Sequence, residues 1–188
     1  MTNFKGTREA FAAAMMDMAE EREDIVVISP DSLKAMRAVP FGEKYPDRYL
    51  ECGIAEQGAV DAAAGLASAG LTPFIGTYCG FLTMRACEQM RTFVGYTNLN
   101  VKFEGVNAGL LGSEREGVTH QFYEDLGMVP SLPNYTIFTP ADPAQCYHAV
   151  RLAAETDGPV YIRAGRGREV DVYDKNAPFA KSGMTVWK

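Results

Sequence analysis

The sequence lacks a long hydrophobic run. No apolar stretch among its 188 residues approaches the roughly 18 to 20 residues that a transmembrane helix requires. The N-terminal segment, MTNFKGTREAFAAAMMDMAEERED, carries charged residues where a signal peptide has a plain apolar stretch. We therefore expect a cytoplasmic protein that has no association with a membrane.

The sequence also has no excess of positive charge and few metal-binding residues. Its 18 Lys and Arg residues against 24 Asp and Glu residues give a formal net charge of −6, whereas a nucleic-acid surface requires a basic patch. The four cysteines (Cys52, Cys79, Cys87 and Cys146) match no zinc or CxxC spacing. We therefore expect no nucleic-acid partner, no metal ligands in this chain, and free thiols in a reducing compartment.

The composition is that of a globular domain, since 47% of the residues are hydrophobic and 22% are charged. Thr7 can cap a helix that runs to about Glu21, and further helices are predicted at residues 55–70, 80–96 and 142–158. The predicted strands are DIVVISP, RYLECGI, LTPFIGTY, LNVKFEGV, YTIFTP and PVYIRAG. Because strands and helices alternate at short connections, the sequence predicts an α/β fold, with a parallel sheet covered by helices on both faces.

The last stretch of the sequence differs from the rest. DVYDKNAPFAKSGMTVWK contains turn residues and has no predicted partner in the sheet. We therefore predict one domain over residues 1–172. Residues 173–188 are predicted to form a linker, or the end of the chain, leading toward a further domain.

Several polar residues follow the predicted strands. Ligands of a parallel α/β sheet gather at the carboxyl ends of its strands, so these residues are candidates for a shared site. His120 ends the loop after the fourth strand and is one of only two histidines. The candidates at the strand ends are Asp31, Ser32, Glu56, Tyr78, Asn107 and Arg163.

Glu56 has two interpretations. It could be an acid in the first turn of a helix, where the helix dipole favours negative charge. Alternatively, the small residues of AEQGAVDAAAGLASAG would let the helix pack closely and partly dehydrate the carboxyl group. A dehydrated glutamate is suited to share a proton with a ring nitrogen.

The other candidates also have structural alternatives. His120 could contact a ligand or be satisfied by local hydrogen bonds. Phe81 and Met84 lie on one predicted helical face, where such residues are more often core than cofactor contacts. The segment RAGRGR, residues 163–168, could hold a phosphate or form a solvated edge.

Four segments together resemble a known family. The segments YLECGIAEQGAVDAAAGLASAGLTPFIGTY, FLTMRACEQMR, EGVTHQFYEDLGMVPSLPNYTIFTPADP and GPVYIRAGR resemble the pyrimidine-binding domain of transketolase and of its relative deoxyxylulose-phosphate synthase. The resemblance runs from about residue 5 to residue 170. It implies the thiamine diphosphate-binding fold, in its pyrimidine module, and a transferase that moves a two-carbon unit from a ketose to an aldose.

The resemblance implies that two chains share the cofactor. In this family one domain binds the diphosphate through Mg²⁺ with a GDG…N motif, and another binds the aminopyrimidine ring. This sequence contains no GDG…N motif. We therefore expect a split enzyme whose partner chain binds the diphosphate and Mg²⁺, in an α2β2 heterotetramer that acts on sugar phosphates.

The resemblance also implies roles for the residues that contact the cofactor. Glu56 matches the catalytic glutamate of GIAEQ, which hydrogen-bonds the N1′ atom of the pyrimidine ring. Phe81 and Met84 fall where aromatic residues flank that ring. Asp31 matches an aspartate that contacts cofactor or substrate.

A further set of residues matches positions that face the substrate. Asn107, Glu116 and His120 match substrate-binding positions, and His120 is also expected to be catalytic. Arg163 falls where an arginine binds the substrate phosphate. SEREGVTHQ replaces the usual GEDGPTHQ, and Asn107 replaces a histidine that contacts sugar hydroxyls, so the sugar specificity stays open.

Three alternatives to an active transketolase subunit remain. The chain could be a non-catalytic regulatory subunit of the same fold. It could be a deoxyxylulose-phosphate synthase-like subunit. It could also be the β-type subunit of a 2-oxoacid dehydrogenase, although the THQ…PAD block matches transketolase better.

Overall fold

A computed structural model describes residues 4–110, 116–167, 169–177, 179–181 and 183. Its sheet is built from β1 (Ile25–Ser29), β2 (Tyr49–Glu51), β3 (Thr72–Tyr78), β4 (Lys102–Val106), β5 (Thr136–Phe138) and β6 (Val160–Arg163). The strand order is β2-β1-β3-β4-β6-β5, and every pair is parallel. All strands therefore end at the same edge of the sheet, which we call the carboxyl rim.

Helices cover both faces of the sheet. They are α1 (Thr7–Glu21), α2 (Val39–Lys44), α3 (Glu56–Ser68), α4 (Cys87–Gln89), α5 (Asp125–Met128) and α6 (Pro143–Glu155). Phe11 of α1 and Val150 of α6 belong to the core on one face, whereas Val60 of α3 and Met90 belong to the core on the other. The α/β fold with helices on both faces is thus confirmed. Within the described residues, no helix is both long and apolar enough to cross a membrane.

The helix predicted over residues 80–96 is not a regular α-helix. Two π-helical segments, Phe81–Arg85 and Met90–Gly95, flank the single turn of α4. Ala86 separates the first segment from α4 and has φ −106° and ψ 21°, outside helical geometry. π-Helical turns are rare and often lie at functional sites, because the extra residue redirects the side chains.

The prediction that Thr7 caps α1 is wrong. Thr7 is the first helical residue, and Gly6 precedes it without a side-chain cap. Instead, the Thr7 amide donates to the carboxylate of Glu169 at 2.9 Å. Glu169, which follows β6, thus accepts a hydrogen bond from a backbone N–H that has no partner within α1. This contact joins the segment after β6 to the N terminus of α1.

The segment after β6 also contacts the N terminus of α6. Asp142 caps α6, since its Oδ1 accepts a hydrogen bond from the Gln145 amide at 2.8 Å. Its Oδ2 accepts bonds from the amides of Val172 and Tyr173, at 2.8 and 2.7 Å. Val172 and Tyr173 lie on either side of the predicted boundary between residues 172 and 173. That domain boundary stays a prediction.

Candidate functional site

Glu56 lies at the carboxyl rim, in the first turn of α3. The alanines on the inner face of α3 are buried, so the helix lies close to the sheet, and Glu56 is only 6% exposed. Its carboxylate Oε1 accepts a hydrogen bond from Nη1 of Arg85 at 2.7 Å. The carboxyl group is therefore dehydrated, as the small residues of α3 predicted, but it has a cationic partner that the sequence did not reveal.

Arg85 also contacts the ring of Phe81. The guanidinium carbon lies 3.6 Å from the centroid of the ring, which is the distance of a cation stacked on an aromatic face. Phe81 and Arg85 are four residues apart in one helical segment, a spacing that places side chains on the same side. That spacing is the signal by which the sequence could have identified Arg85.

Phe81 belongs to a group of three rings at the rim. His120 lies 4.9 Å from Phe81 and 4.5 Å from Tyr78, between ring centroids, and both contacts are edge-to-face. His120 Nδ1 is 2.9 Å from the Thr119 hydroxyl. A continuous series of contacts therefore joins Glu56 through Arg85 and Phe81 to His120. Three predicted site residues come together in this series.

Met84 and Asp31 lie elsewhere at the rim. Met84 is on the π-helical segment with Phe81, and 51% of its surface is exposed. Asp31 is exposed, has φ 53°, and donates its amide to Glu51 Oε1 at 2.7 Å. The same oxygen accepts the Gly53 amide at 2.9 Å. Glu51, which the sequence analysis did not identify, thus connects the loops that follow β1 and β2.

Asn107 and Arg163 follow β4 and β6. Asn107 is 1% exposed and adopts φ 57°. Its backbone N–H donates a hydrogen bond to the Gly165 carbonyl at 3.3 Å. Arg163 Nε donates to Asp125 Oδ2 at 2.8 Å, and the Arg163 side chain is 22% exposed. Asp125 also accepts a hydrogen bond from the Tyr161 hydroxyl at 3.0 Å. A buried carboxylate that the sequence did not single out therefore orients Arg163.

Glu116 pairs with Arg166. Arg166 Nη2 donates to Glu116 Oε1 at 2.6 Å, and Nη1 donates to the second oxygen. These hydrogen bonds lower the pKa of Glu116. Residues 111–115, which belong to the loop predicted to face the substrate, lie outside the described residues. The Glu116 carboxylate is thus engaged by a cation from the segment after β6.

A cavity of about 420 Å³ opens beside Glu56. A buried carboxyl group, an aromatic face and a cavity together suit a planar nitrogen heterocycle, which could stack on Phe81 and hydrogen-bond Glu56. A larger cavity of about 530 Å³ lies at the β5 edge, and none of the predicted site residues lines it. The residues that line the smaller cavity are Ile54, Ala55, Glu56, Gln57, Gly58 and Arg85.

Among the residues that the structure describes, no three or more His, Cys, Asp or Glu side chains are grouped so that they could hold a metal ion. The candidate site therefore consists of the buried carboxylates of Glu56 and Asp125, an aromatic group and several arginines.

Comparisons with known proteins agree with this geometry. Residues 5–168 match the family described as transketolase, pyrimidine binding domain. A putative transketolase C-terminal section of Methanocaldococcus jannaschii is 32% identical over 92% of this chain and 54% of its own length. A 6-deoxy-6-sulfo-D-fructose transketolase subunit of Clostridium sp. is 33% identical over 92% of this chain and 53% of its own length. The chain thus spans about half the length of these relatives.

A solved structure is also similar. It is described as a split gene transketolase, an inactive β4 tetramer, and superposes with a TM-score of 0.82. The two chains are 38% identical, over 93% of this chain and 56% of the solved one. The match over nearly the whole chain identifies the chain as a member of the transketolase family, in its pyrimidine-binding domain.

Proposed function

We propose that the chain is one subunit of a split, thiamine diphosphate-dependent transketolase. This enzyme transfers a two-carbon ketol unit from a ketose to an aldose phosphate acceptor. The observation that carries the proposal is the buried carboxyl group of Glu56, which lines a cavity together with Arg85, whose guanidinium lies on the ring of Phe81. Thiamine diphosphate, when bound, supplies the nucleophilic carbon and the electron sink for the exchange of carbon–carbon bonds.

This chain's residues would bind and orient the pyrimidine ring of the cofactor. Glu56 holds a proton at the ring nitrogen N1′, and its burial keeps water away from that proton. Phe81 offers a ring face for stacking. Met84 and Asp31 complete the cofactor contacts in this proposal, Met84 through its exposed side chain and Asp31 through the loop that Glu51 holds.

A second set of residues would bind the substrate. His120, held by Tyr78 and Phe81, moves a proton at a substrate hydroxyl or carbonyl oxygen. Asn107 and Glu116 face the sugar in this proposal. The guanidinium of Arg163 binds the phosphate, and Asp125 orients it.

The diphosphate and Mg²⁺ are assigned to a partner chain. The absence of a GDG…N motif in this sequence supports that assignment. The similar split gene transketolase, an inactive tetramer of β subunits, supports a requirement for a second kind of chain. We therefore propose a cytoplasmic heteromer, in α2β2 form, in which two polypeptides complete each active site.

The substitution Glu56→Gln tests the proposal in the enzyme assembled with a diphosphate-binding subunit. Gln keeps the shape of the side chain but cannot hold the proton, so we expect turnover to fall by about 10²-fold or more. The assay measures ketol transfer between a panel of ketose phosphates and aldose phosphates. Glu88→Gln changes an exposed glutamate of α4 and should retain full activity. Full turnover by Glu56→Gln would remove the proposed role of this residue.

A further inference from the structure

We infer that Arg85 occupies the pyrimidine-binding position in the unassembled chain and must withdraw before the cofactor binds. The inference rests on the proposed function and adds a residue that competes for the site. It concerns the two contacts of the Arg85 guanidinium, one with Phe81 and one with Glu56. Both contacts are those that the proposed function assigns to the cofactor.

The contacts of Arg85 resemble those of a bound aminopyrimidine. The guanidinium is planar and cationic, and its carbon lies 3.6 Å from the ring centroid of Phe81. One of its N–H groups donates to the Glu56 carboxylate at 2.7 Å. A heterocycle that stacked on this face and bonded this oxygen would occupy the same volume. The two groups therefore exclude each other.

The guanidinium of Arg85 covers one face of the Phe81 ring, with its carbon 3.6 Å from the ring centroid. Tyr78 contacts Phe81 at an interplanar angle of 55°, and His120 contacts it at 70°. Neither ring is parallel to Phe81, so neither forms a stacked pair with it. A ring that binds beside Glu56 must therefore displace the guanidinium before it can use this face.

The exposure of the two partners shows which one can move. The side chain of Glu56 is 7% exposed, whereas that of Arg85 is 46% exposed. Arg85 can move into solvent because nearly half of its side chain is already exposed, and the bound ring would replace it as the hydrogen-bond partner of the buried Glu56. Arg85 also lines the cavity beside Glu56, so its withdrawal enlarges the space available to a ligand. Glu56 stays in place because α3 is packed on the sheet.

The position of Arg85 in the chain also favours movement. Arg85 is the last residue of a π-helical segment, and Ala86, which follows it, departs from helical geometry. Single π-helical turns are often found at functional sites. We therefore expect binding of the partner chain and cofactor to shift the end of this π-helical segment, and Arg85 with it.

The test is cofactor binding, measured by calorimetry with thiamine diphosphate and Mg²⁺ on the enzyme assembled with a diphosphate-binding subunit. In Arg85→Met the competing guanidinium is gone, so we expect the Kd of thiamine diphosphate to fall about threefold to tenfold. Arg85→Lys keeps the charge beside Glu56 but cannot stack as a plane, and should give an intermediate Kd. A merely structural role of Arg85 cannot produce tighter binding.

The matched control is Arg91→Met, which makes the same chemical change at an exposed position of the second π-helical segment. Its Kd should equal that of the unchanged enzyme. An unchanged or weaker Kd for Arg85→Met, with normal binding by the unchanged enzyme, would overturn the inference and leave the proposed function standing. Failure of the unchanged assembly to bind thiamine diphosphate would overturn both.

Discussion

The carboxylate of Asp125, which has no exposed surface, lies 2.8 Å from Nε of Arg163. The Tyr161 hydroxyl donates to the same oxygen at 3.0 Å, and the second oxygen lies 3.4 Å from Arg163 Nη2. Asp125 thus connects the short helix α5 to the end of β6. The orientation of the arginine proposed to bind phosphate depends on this buried acid.

We predict that Asp125→Ala lowers the free energy of unfolding by about 3 kcal/mol, because it leaves a mostly buried arginine without its counter-charge. Urea denaturation followed by circular dichroism measures the loss. Glu21→Ala serves as the control, since it breaks the exposed pair with Arg151 and should change the stability little. An Asp125→Ala protein as stable as the original would show that Arg163 finds another partner.

Glu104 lies on β4 and presents the opposite case, an acid buried without a partner. It has no exposed surface, and neither of its carboxylate oxygens has a hydrogen-bond partner within the described part of the chain. Burial raises the pKa of Glu104 well above its usual range, against the opposing effect of Arg8. The folded state therefore binds this proton more tightly than the unfolded state does.

Glu104→Met should therefore stabilise the protein, by about 1–3 kcal/mol near pH 7, because it replaces an unpaired polar group with an apolar one of similar size. For an acid with a raised pKa, stability is lost as the pH rises above the ordinary value of about 4.3. The advantage of the variant should consequently be larger at pH 8 than at pH 5. Urea denaturation at both pH values tests this. A destabilised variant would indicate that Glu104 has a partner in solution.

The fold could be predicted because its signals are local. Apolar segments such as DIVVISP and PVYIRAG lie on strands, and their alternation with helices gives a parallel sheet. The sequence analysis missed α2 (Val39–Lys44), whose proline and glycine are more typical of a turn. It also missed the π-helical geometry after β3, since periodicity does not distinguish a π-helical segment from an α-helix.

The site could be predicted only in part, for a different physical reason. Glu56 and His120 were candidates because each is an ionisable residue at a predicted strand or loop end, and their roles stay predictions. The residues that pair with the candidate site residues could not be predicted from the sequence. Arg85 is 29 positions from Glu56, Glu51 is 20 from Asp31, and Asp125 is 38 from Arg163. Such contacts depend on how the elements pack, which no short stretch of sequence records.

Acid should weaken a contact at the amino ends of the strands. Asp24 accepts hydrogen bonds from Arg22 at 2.6 and 2.9 Å and from the Thr72 hydroxyl at 2.7 Å. The bonds from Arg22, with a smaller contribution from Thr72, lower the pKa of Asp24 to about 2. The stability that these bonds contribute is therefore present above the ordinary pKa of about 3.9 and is lost as the pH falls toward 2.

Asp24→Asn should accordingly be less stable than the original protein at pH 6, with a difference that shrinks between pH 4 and pH 2. Thermal unfolding across this range measures the two curves. Asp47→Asn, at an exposed position, should match the original protein at pH 6. A constant difference between Asp24→Asn and the original down to pH 2 would contradict the assignment of this titration to Asp24.

Thiamine diphosphate should bind the isolated chain very weakly, because this chain offers only part of the proposed site. Glu56 and Phe81 can contact the pyrimidine ring, but the sequence contains no GDG…N motif for the Mg²⁺ that neutralises the diphosphate, and the described residues include no cluster of three or more His, Cys, Asp or Glu side chains that could hold a metal ion. We expect a Kd weaker than about 1 mM, which corresponds to less than about 4 kcal/mol of binding free energy. Calorimetry with thiamine diphosphate and Mg²⁺ on the chain alone, then with the diphosphate-binding subunit, measures both states. Micromolar binding by the chain alone would contradict the division of the cofactor site between two polypeptides.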